Sequence, residues 1–371
     1  MLNVGTDMRI AFFHELDFGG AKRVVMEFAK RLKKDHMVDL YYVDKNKDKN
    51  VESFFTRTYF YRFNSKVWRG NNWRIRLYKD TLELFNLYKL HIKIADDIKS
   101  KKYDHIFVHP SKFTQAPFLL RFLNNRCIYY CQEPLRIVYD PAISSNIRNI
   151  PFPKNIYEFL NRKIRKSIDL ENTLNAKIIL ANSNYSKKFI EKSYGKNVRV
   201  CYLGVDANIF KPLNIHKTID VLFIGNKDEG YNLLNESLRL FKTKPKLYSI
   251  FRKNGKLDIS DDKLIKIYNK SKVLIALNRN EPFGLILLET MSCGIPVIAV
   301  GEGGYSESVI NEETGYLIKR NAIALKDSIS KLLNNENLRI NMSENARKYI
   351  EKKWTWDKSI KRFLAIAKYV K

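Results

Sequence analysis

One stretch, Val273–Ile318, constrains this chain more than any other. Val273–Leu277 is a short apolar run without a charge, the composition of a strand buried on both faces. A polar loop follows, Asn278-Arg279-Asn280-Glu281-Pro282, and then Phe283–Met291, apolar and long enough for a helix. Gly294 stands where a helix end favours a left-handed residue, and Pro296 discourages continuation. Val297–Val300 reads as a second strand, and Gly301, Gly303 and Gly304 as a flexible loop. Strand, loop, helix, strand is one βαβ unit, and such a unit requires a parallel sheet.

Two carboxylates punctuate the unit. Ligands of parallel α/β sheets bind at the C-terminal ends of strands, beside helix N-termini. Glu281 falls at that place, and the helix start near Phe283–Gly284 offers N–H groups and a positive dipole suited to phosphate. A carboxylate there can accept hydrogen bonds from sugar hydroxyls. Spacing alone leaves two readings open. Glu281 and Glu289 are ligand contacts, or Glu281 caps the helix and Glu289 is a solvated charge.

At 371 residues the chain exceeds one ordinary core, so two domains are expected. With 45% hydrophobic and 29% charged residues it is a folding sequence, not a disordered one. Cysteines at 127, 131, 201 and 293 form no metal or disulfide pattern, which suits a reducing cytosol. Met1–Asp7 lacks a signal-peptide pattern, and no run approaches the roughly 20 apolar residues of a membrane helix. A cytoplasmic location is the expectation.

Net charge is +28, unevenly placed: residues 1–205 hold 38 basic against 20 acidic side chains. That excess points to an anionic partner such as a membrane surface, a nucleic acid or a phosphorylated acceptor. A lysine-rich solvated surface accounts for it equally well. Trp68, Arg69, Trp73, Arg74 and Arg76 crowd the start of a helical stretch, Trp68–Ser100. Such a mixture suits a membrane interface or single-stranded nucleic acid.

Further βα patterns flank the central one. Arg9–His14 is a strand, followed by Gly19-Gly20 and a helix over Ala21–Lys33 with Val24, Val25, Phe28 and Leu32 on one face. Val38–Val43, His105–His109, Cys127–Cys131, Lys177–Ala181 and Asp220–Gly225 read as further strands. Paired glycines after a first strand let backbone approach a phosphate closely.

Glu281-Pro282-Phe283-Gly284, Glu289, Gly294-Ile295-Pro296-Val297, Gly303-Gly304-x-x-Glu307 and Gly315 together resemble the donor-site signature of GT-B glycosyltransferases, in the retaining family 4 group. Gly19-Gly20-Ala21-Lys22-Arg23 resembles the family's Gly-Gly-Ala-Glu-Arg opening, with Lys22 in place of Glu. The resemblance implies two doubly wound, Rossmann-like α/β domains facing across a cleft. Residues 1–205 would form the acceptor-side domain, 206–354 the donor domain, and 355–371 a helix crossing back. It also implies a hexose, mannose- or glucose-type, moved with retention from a nucleotide-diphosphate sugar to a glycan or lipid-linked acceptor, without cofactor or protein-bound metal.

By the same resemblance Glu281 faces the donor sugar and Glu289 the ribose hydroxyls. Gly19 and Gly20 border the diphosphate, and Pro282, Phe283, Gly284 and Leu285 belong to the donor loop. Three positions depart from the pattern. Gln132 replaces a sugar-side His, Asn226 an Arg and Glu229 a Lys, leaving Lys227 to reach phosphate from a shifted position. These departures motivate an alternative, a degenerate GT-B protein that binds without turnover. An oxidoreductase is disfavoured because no G-x-G-x-x-G follows the first strand, and a glycosidase because it needs two facing carboxylates and no nucleotide. No nucleic-acid-binding module is present, so nucleic acid is not the expected partner. The basic N-terminal half instead suggests an anionic, peripheral position at the inner membrane face.

Overall fold

The structure, a computed structural model, describes residues 8–17, 19–67, 70, 72–123, 126–252 and 257–369, without the side chains of Ala142, Arg148, Asp228 and Glu229. Expectations placed on Met1–Asp7, Trp68, Arg69 and the Glu229 side chain lie outside the described residues. The chain divides into two compact units, each built on a parallel sheet.

The first unit holds residues 1–182, 187–201 and 362–371. Its strands are β1 (Arg9–Glu15), β2 (Met37–Asp44), β3 (Arg57–Arg62), β4 (His105–Ser111), β5 (Cys127–Tyr130), β6 (Ile178–Ala181) and β7 (Val198–Val200). They lie in the order β3-β2-β1-β4-β5-β6-β7, and every pairing is parallel. The order reverses between β1 and β4, so the ligand crevice of such a sheet opens there. Both central strands are buried along nearly their whole length. Helix Gly20–Leu32 covers them with Val24, Val25 and Phe28, and Phe28 stacks on Phe107 at 5.5 Å between ring centroids.

The second unit holds residues 183–186 and 202–361. Its strands are β8 (Ile219–Gly225), β9 (Leu247–Phe251), β10 (Ser271–Ala276), β11 (Val297–Val300) and β12 (Gly315–Ile318), ordered β12-β11-β10-β8-β9 and all parallel. Here the order reverses between β8 and β10. A crevice therefore opens beyond Gly225 and Ala276.

Four expectations need correction. The helix expected over Phe283–Met291 runs Leu285–Ser292, because Gly284 adopts a left-handed conformation (φ 92°) that helical hydrogen bonding cannot continue through. Gly303 and Gly304 serve close backbone packing, not flexibility, as described below. The stretch Trp68–Ser100 is helical from Trp73, with a π-helical turn at Lys79–Glu83. β3, β7, β9 and β12, the four sheet edges, were not expected as strands; β7 and β12 are only three and four residues long. β3 and β9 are half exposed, so neither carries the apolar run or clean alternation that marks a buried strand.

Candidate functional site

In the second unit the crevice is walled by the ends of two adjacent strands. β8 ends at Gly225, where a Cβ would lie 3.1 Å from Asn278 Oδ1, so glycine lets the two strand ends close up. The chain leaves β8 through Asn226 into a π-helical turn, Lys227–Tyr231. Gly230, at φ 90°, sits directly against Leu277. The Lys227 side chain is exposed, and its ammonium lies 5.3 Å from the Phe251 ring centroid.

The loop after β10 is held from three sides. Asn278, itself buried, donates from Nδ2 to Glu281 Oε2 at 3.0 Å and so aims the carboxylate. Arg320 donates to the Leu277 carbonyl at 2.8 Å while its fork grips Glu302 at 3.1 and 2.8 Å. That guanidinium holds the Glu302 carboxyl below its usual pKa. From the other side, the Gly304 amide donates to the Glu281 carbonyl at 2.8 Å. A Cβ on Gly303 would lie 2.6 Å from the Glu281 carbonyl oxygen, and one on Gly304 would strike the Pro282 carbonyl. These glycines permit main chain to lie on main chain.

Beyond the loop, the Phe283 ring is buried against Trp354 (5.6 Å) and Tyr202 (6.3 Å) and anchors the loop. Gly284 then turns the chain into helix Leu285–Ser292, whose first amides carry the positive end of the dipole. Pro282, Glu281 and Leu285 are half-buried. Glu289 is only 3% exposed, and the Tyr268 hydroxyl donates to its Oε2 at 3.0 Å. Burial beside that carboxylate pushes the Tyr268 phenol well up.

In the first unit the corresponding crevice lies beyond β1 and β4. Gly19 (φ 91°) and Gly20 are exposed at the start of helix Gly20–Leu32, with nothing near a Cβ on Gly19. Lys22 turns back to pair with Asp48 at 2.7 Å and donates to the Asp17 carbonyl at 3.1 Å. Gln132, just past β5, is half-buried, and its Nε2 is buried without a partner among the described residues. His14 and His109 also end neighbouring strands. His14 Nδ1 accepts from the Leu16 amide at 3.2 Å, whereas its Nε2 and both nitrogens of His109 have no described partner. Burial lowers the His14 pKa to about 3, aided by Lys22, and lowers that of His109 far below its usual value.

Comparison with known proteins places these features. Residues 18–209 match the family model for Glycosyltransferase Family 4, and residues 255–349 that for Glycosyl transferases group 1. The chain belongs to glycosyltransferase family 4. Among the relatives of this family 4 chain, uncharacterized glycosyltransferase MJ1069 of Methanocaldococcus jannaschii is 26% identical over 94% of both chains. Uncharacterized glycosyltransferase MJ1178 of the same organism is 31% identical over 51% of this chain, and that match spans 58% of MJ1178. Anabaena Alr3699/HepE, solved in complex with UDP and glucose, is 16% identical and superposes with a TM-score of 0.67 over 97% of this chain and 99% of HepE. That likeness shows the fold, GT-B.

Within the family 4 frame, the second unit gathers Glu281, Pro282, Phe283, Gly284 and Leu285 after β10 and places Glu289 deeper in helix Leu285–Ser292, whereas the Lys227 ammonium rests over Phe251 at the end of β9, across β8 from β10. Gly19, Gly20 and Gln132 stand at strand ends of the first unit. Several supporting contacts were not foreseen. Ser183 caps helix Asn184–Tyr194 through the Ser186 amide (2.9 Å) and also donates to the Pro282 carbonyl at 2.6 Å. Glu307 accepts from the Asn184 and Tyr185 amides and from the Tyr202 hydroxyl, all within 2.9 Å. In the first unit Glu15 and His91, both fully buried, meet at 2.8 Å. His91 Nδ1 accepts from the Leu119 amide, so Nε2 carries the proton donated to Glu15. Asn182-Ser183-Asn184 ahead of a helix is a capping signal that a sequence carries by itself. The partners of Pro282, Glu307 and Glu15 are distant in the chain and left no local signal.

Proposed function

We propose that this family 4 chain transfers a hexose, mannose- or glucose-type, from a nucleotide-diphosphate sugar to a glycan or lipid-linked acceptor, with retention at the anomeric carbon. The observation that carries the reading is the crevice between β8 and β10, where a backbone-clamped loop presents Glu281 beside the start of helix Leu285–Ser292. The bond from the anomeric carbon to the diphosphate breaks while the acceptor oxygen bonds on the same face. The acceptor proton leaves with the departing phosphate oxygen. Lys227 and the first amides of helix Leu285–Ser292 would stabilise the charge developing on that diphosphate, the largest catalytic effect expected here. Glu281, aimed by Asn278, orients the sugar, and Glu289 receives the ribose. For the first unit we assign Gly19 and Gly20 to diphosphate binding and Gln132 to a sugar hydroxyl. No resident cofactor enters this scheme. HepE, solved with UDP and with glucose, supports a uridine nucleotide as the first donor to try.

A second reading, binding without turnover, draws on Glu289: it is almost fully buried and already hydrogen-bonded to Tyr268. A thermal-shift screen with UDP-, GDP- and ADP-linked glucose and mannose separates the readings. A ligand at one hundred times its Kd stabilises the native state by about 2.7 kcal/mol, a rise of roughly 5–10 °C for a unit of this size. One donor should give that shift, and Glu281→Gln should keep the shift with the bare nucleoside diphosphate but lose the sugar's share. Release of nucleoside diphosphate from the shifting donor supports transfer; tight binding with no release supports the second reading. No shift with any of them overturns both.

A further inference from the structure

Helix Lys154–Leu174 in the first unit is amphipathic in the wrong sense. Its inward face is polar: Glu158, Asn161, Asp169 and Asn172 are buried, with Arg165 between them. Its outward face is apolar, with Ile156, Phe159, Leu160 and Ile164 each about half exposed. At 100° per residue these two sets lie on opposite sides of the helix. Just before the helix, Phe152 is 78% exposed.

The inward charges are satisfied within the unit. Arg165 donates to Asp80 Oδ1 at 2.5 Å, and Tyr157 and Asn161 donate to Asp80 Oδ2 at 3.0 and 3.1 Å. Arg76 joins Asp80 at 2.6 Å to Glu158 at 3.3 Å. This corrects the sequence expectation for Arg76, which points into the seam and not outward. With Asp80, Glu158 and Asp169 turned inward, no exposed residue among 151–170 is acidic. The exposed charges there are Lys154, Lys163 and Lys166, and the Lys163 ammonium lies 4.5 Å from the Phe159 ring. A neighbouring exposed aromatic repeats the pattern: Arg74 covers Trp73 at 5.7 Å.

We propose that the outward face of helix Lys154–Leu174 docks on an anionic lipid bilayer. The one exposed carboxylate farther along that face, Glu171, is paired with Arg121 at 2.9 Å. An apolar stripe flanked by Lys163 and Lys166 fits an interface whose hydrocarbon takes the rings while its phosphates meet the ammonium groups. The stripe runs from Ile156 to Ile164, about 12 Å at the helical rise, and stands proud on one helix instead of lining a groove. A second copy fits poorly, because a symmetric contact would set the same lysines against each other. The inference does not rest on the transfer reading, since vesicle binding needs neither donor nor acceptor.

The test is co-sedimentation of the full chain with vesicles of equal phosphatidylglycerol and phosphatidylcholine, and with phosphatidylcholine alone. The parent binds the anionic vesicles only. Phe159→Ser with Ile164→Ser weakens binding roughly a hundredfold or more. Lys163→Gln with Lys166→Gln weakens it about thirtyfold. Lys326→Gln with Lys348→Gln, the first half-buried and the second exposed on the second unit, removes the same charge and leaves binding within about twofold. All four altered side chains of the first unit are at the surface, so unchanged circular dichroism shows that the variants fold. Equal weakening by the control pair, full binding by the serine variant, or no binding by the parent overturns the proposal. So does a parent dimer in sedimentation velocity that Phe159→Ser converts to monomer.

Discussion

His14 and His109 show how single residues here were half legible. Their positions at the ends of neighbouring strands follow from the sequence, but the depth of their burial does not. Both stay neutral in the fold, because burial opposes the charged form and Lys22 and Lys112 add repulsion at His14, against a weaker attraction from Asp48. The folded pKa is depressed, so stability is full above the unfolded value near 6.5 and is lost as pH falls below it. A histidine that remains neutral when folded costs about 2 kcal/mol at pH 5 relative to pH 7. Asp169 works in the opposite sense. Burial raises its pKa to about 7 despite bonds from Tyr194 and Ala116, so it gains about 2 kcal/mol over the same fall in pH. His105, its pKa also lowered by burial, adds to the loss, so a net loss remains and His109→Gln should reduce it by about one histidine's worth. Urea unfolding at pH 7 and pH 5 checks this; an unchanged slope in the variant would sink it. Glu289 teaches the same lesson. Its eight-residue spacing from Glu281 was plain, but its bond to Tyr268 depends on a helix packed from outside the motif.

At the scale of elements, what the sequence misjudged is the use of its glycines. Gly301, Gly303 and Gly304 read as a pliant loop, yet they differ sharply. A Cβ on Gly301 would meet only Ile318 and Leu317 atoms at 3.8–3.9 Å, an ordinary contact. On Gly304 it would collide with the Pro282 carbonyl and Phe283 Cα, neither of which can swing aside like a side-chain tip. Gly301→Ala should therefore change stability by less than about 0.5 kcal/mol, while Gly304→Ala costs about 1–3 kcal/mol. Because the collision displaces the segment that carries Glu281, donor-induced thermal shift should fall with Gly304→Ala and persist with Gly301→Ala. Equal behaviour of the two would mean that the loop is not clamped. Strands show the complementary limit. β1, β8, β10 and β11 were legible because burial on both faces demands apolar runs, whereas β3 and β9 carry half-exposed edge residues that mimic loops.

For the whole molecule, two parallel sheets followed from two βαβ openings, and the excess of positive charge followed from counting. Where the charge acts did not follow, because the outward face of helix Lys154–Leu174 looks from its sequence like a core face. The chain's end is similarly divided. Helix Trp356–Ala367 begins in the second unit, where Trp356 is buried and Ser359 donates to the Tyr202 carbonyl, and its residues from Arg362 belong to the first. There Phe363, fully buried, packs at 4.5 Å on Phe107 and 5.5 Å on Phe28, over the central strands. Phe363→Ala removes that ring from a buried core, a loss of about 3–5 kcal/mol. The cost falls on the first unit, while the loop bearing Glu281 keeps every hydrogen bond that holds it. Calorimetry of the variant should show the first unit's transition lowered and split from that of the second. The shift given by a bound nucleoside diphosphate should remain on the later transition. If both transitions fell together, the two cores would not be separable, and the division at Arg362 would be wrong as a statement about stability.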